Sequence, residues 1–256
     1  MGGDWLWEKA TLESVATSAS KNVLVIAGAT LGAVLAIGIA YFFLSGDAPD
    51  PVDIDDAIAA NPADGELKPI DGEWTVDTTQ SEENPAREDI IEGSFAGFRV
   101  QEELASLGSK TAVGRTRDVA GTVLLNGMQL TTADIAVDMT TLVTDDKRRD
   151  DNMAAALDSN EFAESTFSLT EPVDLPEEAF TGDPVAVEAT GDLTIRGVTR
   201  SEDVEIEAQF DGEQIIVTGS TPVSMEDYGV VAPSGGRVFS VEDEVIVEWQ
   251  LVMIRT

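Results

Sequence analysis

From Glu73 onward, apolar and polar residues alternate with a period of two. Ile135, Val137 and Met139 fall on one side and Asp134 and Asp138 on the other. Val204, Ile206, Ala208 and Phe210 oppose Glu205, Glu207 and Gln209, and Val245, Val247, Trp249, Leu251 and Met253 share one face near the C-terminus. Shorter stretches at 74–77, 119–125, 166–170, 185–195 and 214–220 repeat the pattern, and Asn126-Gly127, Arg196-Gly197 and Asp211-Gly212 mark turns between them. Such alternation predicts strands of an antiparallel sheet with one apolar face. About eight of them make a sandwich or a closed barrel. A helical period is confined to 150–159, where Met153, Ala154 and Leu157 share a face, with a second, shorter helix expected near Val100.

Upstream the pattern changes twice. Residues 23–44 are uncharged and apolar apart from Thr30, and 22 residues of helix reach roughly 33 Å, enough to span a bilayer core. Lys9 and Lys21 precede this run and Asp47, Asp50, Asp53, Asp55 and Asp56 follow it, which orients the N-terminus to the cytoplasm and the bulk of the chain outside. Gly28, Gly32, Ala36 and Ala40 form a small-residue stripe, a possible self-association face. Ser45 and Gly46 leave cleavage of the anchor open. Residues 46–70 hold Pro49, Pro51, Pro62 and Pro69 among acidic residues and read as an extended, solvated spacer; Asp53, Asp55 and Asp56 lack the Gly and Glu spacing of a calcium loop. The expected organisation is a cytoplasmic stub (1–22), one transmembrane helix (23–44), an acidic linker (45–70) and a β domain (71–256).

Composition narrows the chemistry. Forty-nine acidic against 15 basic residues give a net charge of −34, which argues against a nucleic-acid partner and against docking on an anionic bilayer surface. The chain has neither Cys nor His, so thiol nucleophiles, disulfides, Cys/His zinc sites and a Ser-His-Asp triad fall away. No phosphate-binding glycine loop or dinucleotide fingerprint is present, and Gly93 to Gly97 is out of phase with a nucleophile elbow. No catalytic residue, metal site or cofactor is assigned.

Five motifs carry a resemblance. Trp74-Thr75-Val76-Asp77 with Ser81, Arg149-Asp150-Asp151-Asn152-Met153 followed by Ser159 and Phe162, the stretch Gly191-Asp192-Leu193-Thr194-Ile195-Arg196-Gly197-Val198-Thr199-Arg200, Asp227-Tyr228-Gly229-Val230, and Val241-Glu242-Asp243-Glu244-Val245 occur in the order and spacing of the YceI-like family. The resemblance covers residues 71–256. It implies an all-β fold, an extended lipocalin-like eight-stranded antiparallel barrel with one or two short helices, that binds polyisoprenoid chains in an apolar lumen outside the cytoplasm. Gln80 and Asn152 stand where that family often has His, so no imidazole role survives.

On this view the lumen-facing residues are Phe95, Phe98, Val123, Leu125, Ile135, Val137, Phe167, Leu169, Val187, Leu193, Ile195, Ile206, Ile216, Val247 and Trp249. A slip of one residue reverses a strand's faces, and these side chains equally suit a filled core. Candidate headgroup cations are Arg99, Lys147, Arg148 and Arg149, with Arg115 and Arg117 beside them; Arg149 is expected to pair with Asp150 at a helix start. The acidic field favours a neutral headgroup such as a quinone over a diphosphate. The segment Val100 to Lys110 and the 150–159 helix are candidate lids. The leading function is binding and carriage of an isoprenoid lipid, without catalysis. The alternatives are an envelope interaction module with a filled barrel and an acidic docking surface, and a lipid hydrolase with a polar cluster in its lumen.

Overall fold

In the computed structural model, which describes residues 48–62, 69–79, 84–89, 91–104, 108–232 and 238–256, the period-two segments form strands. They are β1 (Gly72–Val76), β2 (Phe95–Leu104), β3 (Gly108–Thr116), β4 (Val119–Asn126), β5 (Gln129–Asp138), β6 (Val143–Thr144), β7 (Glu164–Leu169), β8 (Val173–Asp174), β9 (Val185–Ile195), β10 (Val198–Phe210), β11 (Gln214–Ser224) and β12 (Val238–Arg255). The order β1-β4-β5-β7-β9-β10-β11-β12 closes on itself through β1 and β12, which makes an eight-stranded antiparallel barrel. β12 spans 18 residues and serves three neighbours. One edge pairs with β11 from Gln214↔Ile254 to Ser224↔Glu244. The other pairs first with β2 and then with β1, where Trp74↔Arg255 and Val76↔Met253 complete the ring. β3 and β6 continue the sheet beyond β2 and extend the wall.

The turn residues read from sequence sit where the strands reverse. Arg196 and Gly197 both have positive φ (51° and 72°), the backbone of a tight two-residue hairpin turn. In the barrel, the helix over Lys147–Leu157 starts three residues before the expected 150. Asp146 caps it, its carboxylate accepting from the Arg148 N–H at 2.8 Å. Among the described residues no helix begins near Val100: β2 runs through that residue to Leu104 and pairs antiparallel with β3 from Gly108, so the described part of the segment Val100 to Lys110 is strand rather than lid.

The anchor helix expected over 23–44, its small-residue stripe and the stub lie outside the described residues, as do Gln80 and Ser81. Among the described residues no helix is long and apolar enough to cross a membrane.

The spacer reading of 45–70 needs correction. A helix, α1, spans Ile54–Ala60. The Asp53 carboxylate accepts from the Asp55 N–H at 2.9 Å and the Asp56 N–H at 3.4 Å. The acidic triplet is therefore a helix cap with an acidic first turn, not a solvated spacer. α1, with the barrel helix numbered α2, buries Ile54 and Ala57 against Ile216 on the outer wall. Asn61 closes α1 and ties it down: its side-chain carbonyl accepts from the Gly93 N–H at 2.7 Å, and its main-chain carbonyl from Gln214 Nε2.

A buried ionic cluster holds the preceding residues. Glu248 on β12 is 1% exposed and accepts from Arg99 Nε and Arg115 Nε, each at 2.8 Å. The remaining guanidinium nitrogens reach outward, Arg99 to the carbonyls of Pro49 and Asp50, and Arg115 to those of Pro85, Glu88 and Asp50. Burial lowers the Arg115 pKa below its ordinary value, opposed by the Glu248 charge and hydrogen bond. Arg115 also stacks on Phe95, 4.7 Å from the ring centroid.

Trp74 closes one end of the barrel. It is fully buried, donates from Nε1 to the Ile70 carbonyl at 2.9 Å and meets Phe210 edge-to-face at 5.5 Å. The Arg255 guanidinium lies 4.4 Å from its ring centroid and binds the carbonyls of Asp71 and Pro69.

Removing one partner of a buried ion pair strands the other charge. Glu248→Ala should therefore cost about 3–5 kcal/mol of stability, measured by urea denaturation, whereas Glu244→Ala, on an exposed stretch of the same strand, should change it by under about 0.5 kcal/mol.

Candidate ligand-binding lumen

A closed sheet with apolar inward positions encloses a space, and here that space is not filled. A cavity of about 340 Å³ runs through the barrel, walled by apolar side chains of the strands and one face of α2. Large side chains line it without blocking it because two rings lie flat against glycine. A Cβ on Gly191 would fall 2.2 Å from Phe167 Cζ, and one on Gly219 would fall 2.2 Å from Trp249 Cζ2. With no side chain beneath, each ring rests on the backbone of the adjacent strand.

Most of the expected lumen residues line the cavity: Phe98, Val123, Leu125, Ile135, Val137, Phe167, Val187, Leu193, Ile195, Ile206, Val247 and Trp249. Three do not. Phe95 and Phe98 are three apart in one strand and so point to opposite faces; Phe95 lies outside under Arg115. Ile216 faces α1 on the outer wall, and its neighbours Ile215 and Val217 line the cavity instead. Leu169 ends β7 beyond the lining residues. Alternation also marks Val204, Phe210, Leu251 and Met253, which line the cavity too.

Of the headgroup candidates only Arg149 reaches the lumen. Arg99 and Arg115 are committed to Glu248 on the outer wall, and Lys147 and Arg148 are exposed on α2. Arg117 donates to the Glu92 carbonyl at 2.7 Å. Arg149 does not pair with Asp150. Its guanidinium meets Glu102 and Asp145 instead, and Asp150 accepts from the N–H and hydroxyl of Thr144, both at 2.7 Å.

Glu102 escaped the sequence reading as a lumen residue, although Phe98, Val100 and Glu102 continue one alternation into the cavity. It is 5% exposed. On α2, Arg149, Met153, Ala156 and Leu157 present one helical face to the same space. The Tyr228 hydroxyl donates to Glu202 at 2.8 Å; burial and that acceptor push its pKa far above the ordinary tyrosine value. Val100 and Tyr228 share one apolar cluster, whereas Trp74, Phe210 and Met253 belong to another. The lumen thus has a largely apolar end and an end with charged groups. Other polar lining side chains are held by backbone: Ser165 donates to Thr194 O, Gln209 to Gly182 O and Thr221 to Asp203 O.

The motifs around Arg149, Arg196, Tyr228 and Asp243 build the polar end. Arg196 donates to Gly229 O at 2.7 Å and Arg200 to Asp227 O at 2.9 Å, which ties the β9–β10 turn to the turn carrying Tyr228. Asp243 accepts from the Ser224 hydroxyl and the Glu226 N–H and sits where the β2–β12 register shifts.

A raised tyrosine pKa stabilises the folded chain fully below about pH 10, the unfolded value, and less as pH rises beyond it. Tyr228→Phe should remove the phenol that ionises above the ordinary range, read as loss of the late phase in a 295 nm titration. It should also flatten the fall in stability above that pH.

A UPF0312 protein of Shewanella sp. (strain ANA-3) is 28% identical over 169 residues, covering 62% of this chain and 85% of that one, and a UPF0312 protein of Shewanella baltica (strain OS155) aligns with the same figures. Among solved structures, a polyisoprenoid binding domain from Saccharophagus degradans gives a TM-score of 0.49 at 16% identity, over 64% of this chain and 94% of that one. BcnA of Burkholderia cenocepacia gives 0.48 at 18%, over 62% and 95%. The YceI-like domain matches residues 74–253, and the chain belongs to the YceI-like family.

Proposed function

We propose that this protein binds an isoprenoid lipid, of quinone or polyprenyl type, in its barrel lumen and carries it outside the cytoplasmic membrane. The observation that carries the reading is the open apolar cavity of about 340 Å³ in a barrel whose aromatic rings lie along the wall. An interaction module would have no reason to keep that space. Leaving a cavity of this size unfilled weakens a core, and a function that needs it offsets the loss. The volume lies in the range of small-molecule pockets. A hydrocarbon tail gains about 25 cal/mol for each Å² buried, so binding needs few polar contacts. The extracytoplasmic placement rests on the apolar run 23–44 and its charged flanks.

The test uses the full chain expressed in bacterial membranes, purified, stripped of bulk lipid and extracted for mass spectrometry. A stoichiometric isoprenoid is the expected result. Ile206→Trp, which fills the lumen, should lower its occupancy at least about tenfold while keeping the β-sheet circular dichroism signal, because overpacking costs only about 1–3 kcal/mol. A chain that carries no isoprenoid and takes up neither a quinone nor a polyprenol from donor vesicles would overturn the proposal.

A further inference from the structure

We infer that the Glu102–Arg149 pair is the headgroup site of the lumen, and that it selects an uncharged, oxygen-bearing headgroup, a hydroxyl or a quinone carbonyl, over a phosphate. This rests on the lipid-binding reading above and adds to it the direction and chemistry of the ligand.

The lumen has a polarity. At one end Trp74, Phe210 and Met253 form a buried apolar cluster. At the other, Glu102 from β2 and Arg149 from α2 meet among the lining residues, and Tyr228 lines the same cavity. A tail therefore points toward Trp74 and a headgroup toward α2, since an oxygen without a partner costs free energy when buried in hydrocarbon.

Charge then decides which headgroup fits. Among the described residues Arg149 is the single cation lining the cavity, and two carboxylates, Glu102 and Asp145, already share it. The other charged lining residue among those described, Glu248, is engaged by Arg99 and Arg115 on the outer wall. A diphosphate requires several cations or a nest of backbone N–H groups. At the N-terminus of α2 the Asp146 carboxylate already accepts from the Arg148 N–H and sets a further negative charge there. At 5% exposure, Glu102 is poorly screened by water, so its repulsion of a phosphate is strong. A hydroxyl can instead donate to the Glu102 carboxylate and accept from Arg149, and a quinone carbonyl can accept from Arg149, with the ion pair kept.

The experiment compares three ligands with one tail: geranylgeraniol, a naphthoquinone bearing a geranylgeranyl chain, and geranylgeranyl diphosphate. Each competes with a fluorescent isoprenoid for the full chain in phosphatidylcholine nanodiscs. The wild type should bind both neutral ligands at least about tenfold more tightly than the diphosphate, a difference of one decade in Kd. Glu102→Gln should narrow that ratio at least about fivefold, as expected when one buried like charge is removed. Glu103→Gln makes the same charge change on the solvent face of β2 and should leave the ratio unaltered. Equal or tighter binding of the diphosphate by the wild type, or equal narrowing by both variants, overturns the headgroup site and leaves lipid binding standing. Failure of all three ligands to compete, together with no uptake of the fluorescent isoprenoid, overturns the lipid reading itself.

Discussion

The architecture depends on one strand finding partners on both edges. β12 gives its first edge to β11 and divides its second between β2 and β1. The three residue pairs between β1 and β12 convert a curled sheet into a ring and remove its open edges there. Closure fixes which face of each strand is interior, and from that everything else follows: the lumen, the seating of α2, and the outer wall on which α1 rests.

The two faces of that wall solve opposite problems. Inside, side chains must cover the backbone yet leave room, which rings laid over Gly191 and Gly219 achieve. Outside, the chain leading into the barrel must be held. A carboxylate shared by Arg99 and Arg115 does so by turning both guanidinium groups toward main-chain carbonyls. Charge is thus buried where it fixes geometry, and the surface keeps the excess acidity.

Much of this was legible in the sequence. Alternation located the ring strands, and Asn126-Gly127, Arg196-Gly197 and Asp211-Gly212 marked real reversals. A pattern of period two yields two faces but not what covers the outer one. That is why Ile216 was assigned to the lumen when it packs on α1, and why the acidic residues from Asp53 to Asp56 read as spacer. Phe95 was misplaced by treating two aromatics as a pair across a spacing of three. The headgroup cations were chosen for clustering along the chain, yet Lys147 and Arg148 share a helix with Arg149 and face water. Glu102 belongs, on the sequence alone, to a lid or mouth segment with Glu103; its partner, 47 residues away, is visible only in three dimensions.

The shared edge of β12 also bears on how the molecule is made. Trp74 pairs with Arg255, so the ring joins residues at nearly opposite ends of the described barrel. During synthesis β1, β2 and β11 all emerge before the strand that completes them, and their edges stay unsatisfied until translation has passed residue 255. Contacts this distant along the chain form slowly, and the waiting strands are open to wrong pairings. The ring is therefore the last thing the chain can make, and the lumen exists only once its final strand is in place.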